Sequence, residues 1–500
     1  MLAVLSGIML SAVMGVLINP LGERPKVPSA YALCSGLAWW LAFFAVGCLL
    51  TQRLYFAITL VVVLHGVLLA VNHAKFTALR EPFILQDFEY FTDALRHPRL
   101  YIPFFGIVKT LALLGAGGLA IGLFIWFEPP LYQRHERSLL LPLGALSASA
   151  VLALLGWFIR PPLSLHPVRD MQSTGLIALL HSHLAEYWQA RKRPLNSPAA
   201  HWPEFDSGQV LPHLVMVQSE SFFDPRPVYG FVKPSVMQHW DRVALRAVAQ
   251  GRLEVPAWGA NTVRTEAAVL TGLSPDELGI HQFNPYRRLV QNPVASLASH
   301  LRRQGYRTVC VHPYPAHFYQ RKQVIPILGF DEFIDGSRFD IHDHCGQYVG
   351  DKAVADRVSK LLQNAEQPLF VFVITMENHG PLHLETPASS LAEAVYIQVP
   401  QGPLSDLSVY LGHLQNADAM LAQLVQSLEQ SERGGALCWY GDHVPIMPDV
   451  YRHFGEPEAA TPWLIFDTAC ESVLPVSAQT LRADRLAQHW LEHLTKCHQP

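Results

Sequence analysis

The sequence predicts an α-helical transmembrane domain of about five helices, followed by an α/β domain with a central, mainly parallel sheet. Half of the 500 residues are hydrophobic and only 16% are charged, whereas a soluble protein has about 25% charged residues. The deficit falls on residues 1–158, which carry long apolar runs. From residue 211 onward, strand-like and helical patterns alternate as in a soluble domain.

Each apolar run is close to the ~20 residues that span a bilayer. Several such runs cannot all be core helices of a soluble protein, so we expect a multi-pass membrane protein. The first run lacks a basic n-region and an Ala-x-Ala site, which disfavours a signal peptide. The predicted spans are residues 2–18, 31–50, 55–71, 107–127 and 138–158.

An odd number of spans places the N-terminus and the large domain on opposite sides of the membrane. The distribution of Arg and Lys residues over the short loops weakly disfavours an external position for the large domain, although long loops follow the positive-inside rule poorly. Prolines open and close residues 160–207, with an amphipathic helix predicted over 175–192. We therefore predict a transmembrane domain over 1–159, a linker over 160–207 and a globular domain over 208–500.

The globular part is predicted to be α/β because apolar strand-like runs alternate with helical patterns. Functional groups of such sheets gather at the carboxyl ends of the strands. The predicted strands are residues 214–218, 308–312, 369–375, 436–440 and 463–466, and the predicted helices between them include 293–304, 352–363 and 407–429.

Carboxylates and imidazoles follow four of these strands. Glu220 follows the first strand, His312 ends the second, His379 follows the third, and Asp442 and His443 follow the fourth. Taken singly, each could be a turn, a cap, a solvated loop residue or a core histidine. If the strands are parallel, all of them meet at one sheet edge. Together with one hydroxyl, such a mixed oxygen and nitrogen set suits Mn²⁺, Mg²⁺ or Zn²⁺.

Thr262 offers that hydroxyl, because it follows a Gly-Ala-Asn turn and precedes a helical run. Backbone N–H groups and the dipole at a helix N-terminus favour a phosphate there. The alternative is that Asn261 or Thr262 only caps the helix, with Thr265 or Glu266 closing a capping box. A divalent ion beside Thr262 would instead lower the pKa of its hydroxyl and activate it as a nucleophile.

Charge and cysteine content exclude other classes. The net charge of −4 gives no argument for nucleic-acid binding. The seven cysteines contain no CxxC spacing, which disfavours a zinc ribbon. Cys470 and Cys497 could pair, but the sequence leaves this open.

Several short motifs occur in a characteristic order between residues 211 and 466. These motifs are Ser219-Glu220-Ser221, Asn261-Thr262-Val-Arg-Thr-Glu266, Leu270-Thr-Gly-Leu273, Gln304-Gly-Tyr306, Gly329-Phe-Asp331, Asn378-His379-Gly-Pro381 and Tyr440-Gly-Asp-His443. Their order resembles the lipoteichoic acid synthase and phosphoglycerol transferase family, within the alkaline phosphatase/sulfatase superfamily, and the preceding apolar helices also fit.

The resemblance implies a sulfatase-like catalytic domain with one divalent metal ion, Mn²⁺ ahead of Mg²⁺ or Zn²⁺. By resemblance, the metal ligands are Glu220, Thr262, Asp442 and His443, with Thr262 also the nucleophile. His379 would contact the transferred phosphate or the leaving oxygen. The residues matching the family's glycerol-phosphate site are His312, Tyr319 and Arg321; the family has a tryptophan where Tyr319 stands, and the segment here contains two prolines.

The implied activity is transfer of a phosphoglycerol group from phosphatidylglycerol to an extracytoplasmic glycan or polymer acceptor. The implied location is the bacterial inner membrane, with the catalytic domain in the periplasm. The alternatives are a phosphoethanolamine transferase, a lipid phosphodiesterase that uses water, and a scaffold without activity. A sulfatase is disfavoured because Thr262-Val-Arg-Thr lacks the proline of the Cys/Ser-x-Pro-x-Arg motif.

Overall fold

The computed structural model describes residues 2–18, 28–90, 96, 107–131, 139–206, 210–470 and 476–498. It contains two compact units, Met1–Lys192 and Arg193–Pro500. The helix predicted over 175–192 is present as Leu176–Ala190 and belongs to the first unit.

The first unit is helical, and apolar helices occupy all five predicted runs. Three of them are long and apolar enough to cross a membrane by length and composition: Ala30–Thr51, Leu54–Leu79 and Leu140–Phe158. The number of spans beyond these three stays a prediction. Among the described residues of this unit, the α-helices are α1 Leu2–Leu17, α2 Ala30–Thr51, α3 Leu54–Leu79, α4 Ile107–Phe127, α5 Leu140–Phe158, α6 Pro167–Thr174 and α7 Leu176–Ala190.

Helix α7 packs on α2 through polar contacts as well as apolar ones. The Tyr31 hydroxyl donates to the Ala178 carbonyl at 3.0 Å, and His181 Nδ1 lies 3.0 Å from Ser35 Oγ. Because buried polar groups need partners, these bonds fix α7 on the helical unit.

The second unit is built on an eight-stranded sheet of order β10-β2-β9-β8-β1-β7-β3-β4. Its centre, β8-β1-β7-β3, is parallel, whereas β9 runs antiparallel to both of its neighbours. The mainly parallel sheet is therefore confirmed. The strands of the unit, with the small hairpin β5–β6, are β1 His213–Ser219, β2 Ala249–Glu254, β3 Arg307–Val311, β4 Glu332–Ile334, β5 His344–Cys345, β6 Tyr348–Val349, β7 Leu369–Ile374, β8 Gly435–Gly441, β9 Thr461–Asp467 and β10 Gln479–Arg482.

Helices cover both faces of this sheet. Along β1, Val215 and Val217 join the core on one face, while Leu214 and Met216 join the core on the other. Burial on both faces explains why the central strands are continuous apolar runs. The helices are α8 Gln238–Ala244, α9 Thr262–Thr271, α10 Pro275–Leu278, α11 Pro285–Gln291, α12 Leu297–Arg303, α13 Arg321–Ile327, α14 Asp351–Gln363, α15 Leu391–Val395, α16 Ser405–Glu429, α17 Pro448–Phe454 and α18 Ala483–Cys497.

The five predicted strands are all present, with bounds shifted by one or two residues. The sequence missed β2, β4 and β10, because these strands lie toward the sheet edges and carry partly exposed, polar residues. The helix predicted over 293–304 begins only at Leu297, since the Ser296 hydroxyl caps it by accepting from the Ser299 N–H. Cys470 and Cys497 form a disulfide.

Candidate functional site

The sheet brings the predicted residues to one edge. Glu220 follows β1, Asp442 and His443 follow β8, His379 follows β7 and His312 follows β3. These four strands are parallel neighbours, so their carboxyl ends lie side by side. The expected gathering of these residues at one edge is therefore present.

Glu220, Asp442 and His443 form a buried group whose ligand atoms lie within 4.8 Å of one another. His443 Nε2 is 3.2 Å from Asp442 Oδ2 and 3.6 Å from Glu220 Oε1. The other ring nitrogen, Nδ1, lies 3.1 Å from the Val444 carbonyl. Since a carbonyl only accepts, Nδ1 carries the proton and Nε2 presents a lone pair to the two carboxylates.

This donor set fits a divalent cation. Asp442 Oδ2 is buried and has no hydrogen-bond partner. Burial, and then the neighbouring Asp442 charge, raise the pKa of Glu220 well above its ordinary value. Two buried carboxylates in contact are unfavourable without a counter-charge, and an oxygen, oxygen and nitrogen set can supply ligands to Mn²⁺, Mg²⁺ or Zn²⁺.

Ser221 orients both carboxylates, a role that the sequence did not reveal. Its hydroxyl donates to Glu220 Oε1 at 2.8 Å, and its N–H donates to Asp442 Oδ1 at 2.8 Å. Ser221 adopts φ 52°, a left-handed backbone conformation that a non-glycine residue rarely adopts unless surrounding contacts stabilise it. The Glu220 and Asp442 loops pass very close to each other, since a Cβ at Gly441 would collide with the Phe222 carbonyl.

Thr262 is the first residue of α9 and is 6% exposed. Asn261 precedes it in the left-handed conformation with φ 66°, and no side chain caps this helix. The capping-box alternative is therefore wrong. Instead, Thr265, one turn further along, donates its hydroxyl to the Asp442 carbonyl at 3.0 Å. That bond ties the helix carrying Thr262 to the loop carrying Asp442 and His443.

His312 and His379 are both held through one ring nitrogen. His312 Nδ1 lies 3.1 Å from the Ile374 carbonyl, and His379 Nδ1 lies 2.6 Å from the Gly380 carbonyl. His312 Nε2 is buried without a partner, so His312 is not a satisfied core histidine. Burial lowers the pKa of both rings, and for His312 the nearby charges of Arg321 and His379 lower the pKa further. Both rings are therefore neutral near pH 7.

Arg321 lies inside the protein with its guanidinium against Glu266. Its Nε is 3.2 Å from Glu266 Oε2, and its Nη2 donates to Glu266 Oε1. The Tyr286 hydroxyl also donates to Glu266, at 2.6 Å. Tyr319 adopts φ 53°, and its ring centroid is 5.3 Å from the Arg321 guanidinium carbon. Arg321 therefore has a structural partner that the sequence did not reveal.

Asn378 is a further residue of this edge, and no role was predicted for it from the sequence. It is 1% exposed, and neither polar atom of its side chain has a hydrogen-bond partner. Because a buried amide normally finds partners, Asn378 is suited to bind a substrate oxygen beside His379.

Comparisons with known proteins agree with this geometry. A family model described as Sulfatase matches residues 212–494. The capsular polysaccharide biosynthesis protein RkpI of Rhizobium meliloti is 27% identical over 471 residues, which cover 88% of this chain and 80% of that protein. Lipoteichoic acid synthase 1 of Bacillus subtilis is 26% identical over 171 residues, which cover 33% of this chain and 26% of the synthase.

Among solved structures, the chain is similar to lipooligosaccharide phosphoethanolamine transferase A of Neisseria meningitidis, an integral membrane protein. The TM-score is 0.54 at 12% identity, over 95% of this chain and 96% of that chain. At this identity the likeness concerns the fold alone. Together, the family match and the lipoteichoic acid synthase match confirm the resemblance predicted from the motifs.

Proposed function

The chain belongs to the sulfatase family, and on that premise we propose that it is a membrane-bound, metal-dependent transferase of phosphoglycerol groups. The donor is phosphatidylglycerol and the acceptor is an extracytoplasmic glycan or polymer. The observation that carries the proposal is the attachment of the Thr262 helix to the Asp442 loop, through the hydroxyl of Thr265. This contact links the helix that begins at Thr262 to the loop that carries Asp442 and His443, which supports Thr262 as the nucleophile.

Glu220, Asp442 and His443 would hold the metal ion, with Thr262 as the fourth ligand. We propose Mn²⁺, with Mg²⁺ or Zn²⁺ as the alternatives. When bound, the ion lowers the pKa of a neighbouring hydroxyl and offsets the negative charge of the phosphate. Ser221 keeps both carboxylates in place for this purpose.

Thr262 Oγ1 attacks the phosphorus, and the bond from phosphorus to the diacylglycerol oxygen breaks. A phosphoglycerol-threonine intermediate forms. Nε2 of neutral His379 takes the Thr262 proton and returns it to the leaving diacylglycerol oxygen. In the second half of the reaction, an acceptor hydroxyl attacks the same phosphorus and gives its proton to His379. The bond from phosphorus to Thr262 Oγ1 breaks, and Oγ1 takes this proton from His379.

Support for a glycerol headgroup comes from His312. Its Nε2 is a buried acceptor without a partner, suited to a glycerol hydroxyl. We propose that His312, Tyr319 and Arg321 line the headgroup site, with Arg321 acting from its ion pair with Glu266.

The proposed acceptor follows from the name of a relative, and the proposed location follows from where the two substrates meet. The name of the Rhizobium meliloti relative refers to capsular polysaccharide, which supports a glycan acceptor. Lipid donors and envelope glycans meet outside the inner membrane, which supports a periplasmic catalytic domain over 208–500. In this proposal residues 1–159 span the membrane and residues 160–207 link the two domains.

The test is intact-mass spectrometry of the full-length protein after incubation with phosphatidylglycerol and Mn²⁺. We expect a mass gain of one phosphoglycerol group that maps to Thr262, is lost in Thr262→Ala and persists in Thr271→Val, on the same helix. An adduct formed only from phosphatidylethanolamine would support the same covalent mechanism and show that the transferred group is phosphoethanolamine. Soluble glycerol phosphate without a modified acceptor would identify a phosphodiesterase. Normal turnover by Thr262→Ala would exclude the covalent step.

A further inference from the structure

A second group of potential metal donors lies apart from the Glu220, Asp442 and His443 group. The Cys345 thiol, the Glu377 carboxylate and the His413 imidazole bring their ligand atoms within 4.8 Å of one another. Glu377 is 1% exposed, His413 is 6% exposed and Cys345 is partly buried. They come from the β5–β6 hairpin, the segment after β7 and helix α16.

We propose that Cys345, Glu377 and His413 form a second divalent-cation site, of the class that takes Zn²⁺. Thiolate, imidazole and carboxylate are the donors that Zn²⁺ uses in proteins, and a soft thiolate disfavours Mg²⁺ and Ca²⁺. The site does not depend on the proposed transfer reaction, because it uses neither Thr262 nor a lipid donor.

Each ring nitrogen of His413 faces a carboxylate. Its Nδ1 lies 2.8 Å from Glu377 Oε1, and its Nε2 lies 3.1 Å from Glu385 Oε2. With an ion bound, Nδ1 is the ligand and the Nε2–H donates to Glu385, the common carboxylate–histidine–metal arrangement. Glu385 is itself held by Gln347 Nε2 of the hairpin at 3.3 Å.

Asp351 gives independent support for a cation at this place. It is fully buried, and neither carboxylate oxygen has a hydrogen-bond partner. Its N–H donates to Glu377 Oε2 at 2.6 Å, and Glu377 and His413 are the side chains whose charges act most strongly on it. A buried carboxylate without a hydrogen-bond partner is unfavourable, so a cation held next to Glu377 would stabilise it.

The backbone is packed closely around the group. A Cβ on Gly350 would lie 3.0 Å from the Cys345 Cβ and 3.4 Å from Glu377 Oε2. Three donors leave a fourth position for Asp351 or a water molecule. Because Glu377 directly precedes Asn378 and His379, the ion would hold this loop in place rather than take part in the chemistry.

The test uses the full-length, metal-stripped protein titrated with Co²⁺, which replaces Zn²⁺ and absorbs light when a thiolate binds it. We expect a thiolate-to-cobalt charge-transfer band that Cys345→Ser abolishes and that Cys34→Ser, a matched thiol in the first unit, retains. Glu220→Gln should lower the total Co²⁺ bound yet keep the band, because the Glu220, Asp442 and His443 group contains no thiol.

A second variant guards against loss of folding. Glu385→Gln should weaken the Co²⁺ affinity read from this band by about 10–100-fold, as loss of an orienting partner does. If Cys345→Ser still binds Co²⁺ at the Glu220, Asp442 and His443 group, this variant is folded. Absence of the band in the wild type, or its persistence in Cys345→Ser, would overturn the site without touching the proposed transferase activity.

Discussion

The hydroxyl of Thr265 donates to the backbone carbonyl of Asp442 at 3.0 Å, across two segments distant in sequence. This contact sets the helix that begins at Thr262 against the loop that carries Asp442 and His443. The bond is fully buried, so its loss affects both stability and position.

Thr265→Val should therefore impair catalysis more than stability. The variant keeps the shape of the side chain and loses one hydrogen bond, worth about 1 kcal/mol of unfolding free energy. A shift of Thr262, the proposed nucleophile, should lower kcat by about 100-fold. The control is Thr271→Val on the same helix, where the Thr271 hydroxyl donates to the Ala267 carbonyl and accepts from the Leu273 N–H, both within this segment. Equal kcat losses in both variants would contradict a positioning role for Thr265.

Ser221→Ala should weaken metal binding. Its hydroxyl orients Glu220, and loss of such a partner typically costs about 10–100-fold in metal affinity. The measurement is the Mn²⁺ concentration that gives half-maximal donor cleavage, after removal of bound metal with a chelator. Ser337→Ala, at an exposed loop, is the control. An unchanged Mn²⁺ requirement in Ser221→Ala would show that Ser221 does not orient the ligands.

Arg321→Ala should be strongly destabilising. It leaves the Glu266 carboxylate buried without its cation, at a cost of about 3–5 kcal/mol. Arg307→Ala removes an ion pair to Glu332 that is largely exposed, so it should cost only about 0–1 kcal/mol. Thermal unfolding of both variants tests this contrast. If Arg321→Ala unfolds at the wild-type temperature and loses only donor binding, Arg321 serves the substrate rather than the fold.

Stability should fall in mild acid partly because of His312, whose pKa is lowered by burial. Above about pH 6.5 the ring is neutral in both the folded and unfolded states, so it adds no pH dependence. Below that pH only the unfolded state takes up the proton, and the unfolding free energy decreases by up to about 1.4 kcal/mol per pH unit.

His312→Gln should reduce this slope between about pH 5 and pH 6.5. The measurement is the unfolding temperature of the wild type and the variant across that range. His342→Gln, at an exposed position, is the control and should follow the wild type. A His312→Gln curve parallel to the wild type would mean that His312 is protonated in the folded state.

Much of the site could be predicted from the sequence. Glu220, Asp442, His443 and His379 each directly follow an apolar run, and runs of this kind become parallel strands whose carboxyl ends meet at one edge. The apolar helices could be predicted equally well, because their length and composition are visible in the sequence. The capping-box alternative at Thr262 failed because local patterns cannot show that Thr265 bonds instead to a distant carbonyl.

The sequence by itself determined the two-part architecture, the α/β class and the residues at the strand ends, because these depend on hydrophobic periodicity and short motifs. The tertiary structure alone decided the pairing of Arg321 with Glu266, the role of Ser221 between two loops, and the meeting of Cys345, Glu377 and His413. Such contacts join residues from separate elements. Their partners are chosen by three-dimensional packing, which leaves no local signal in the sequence.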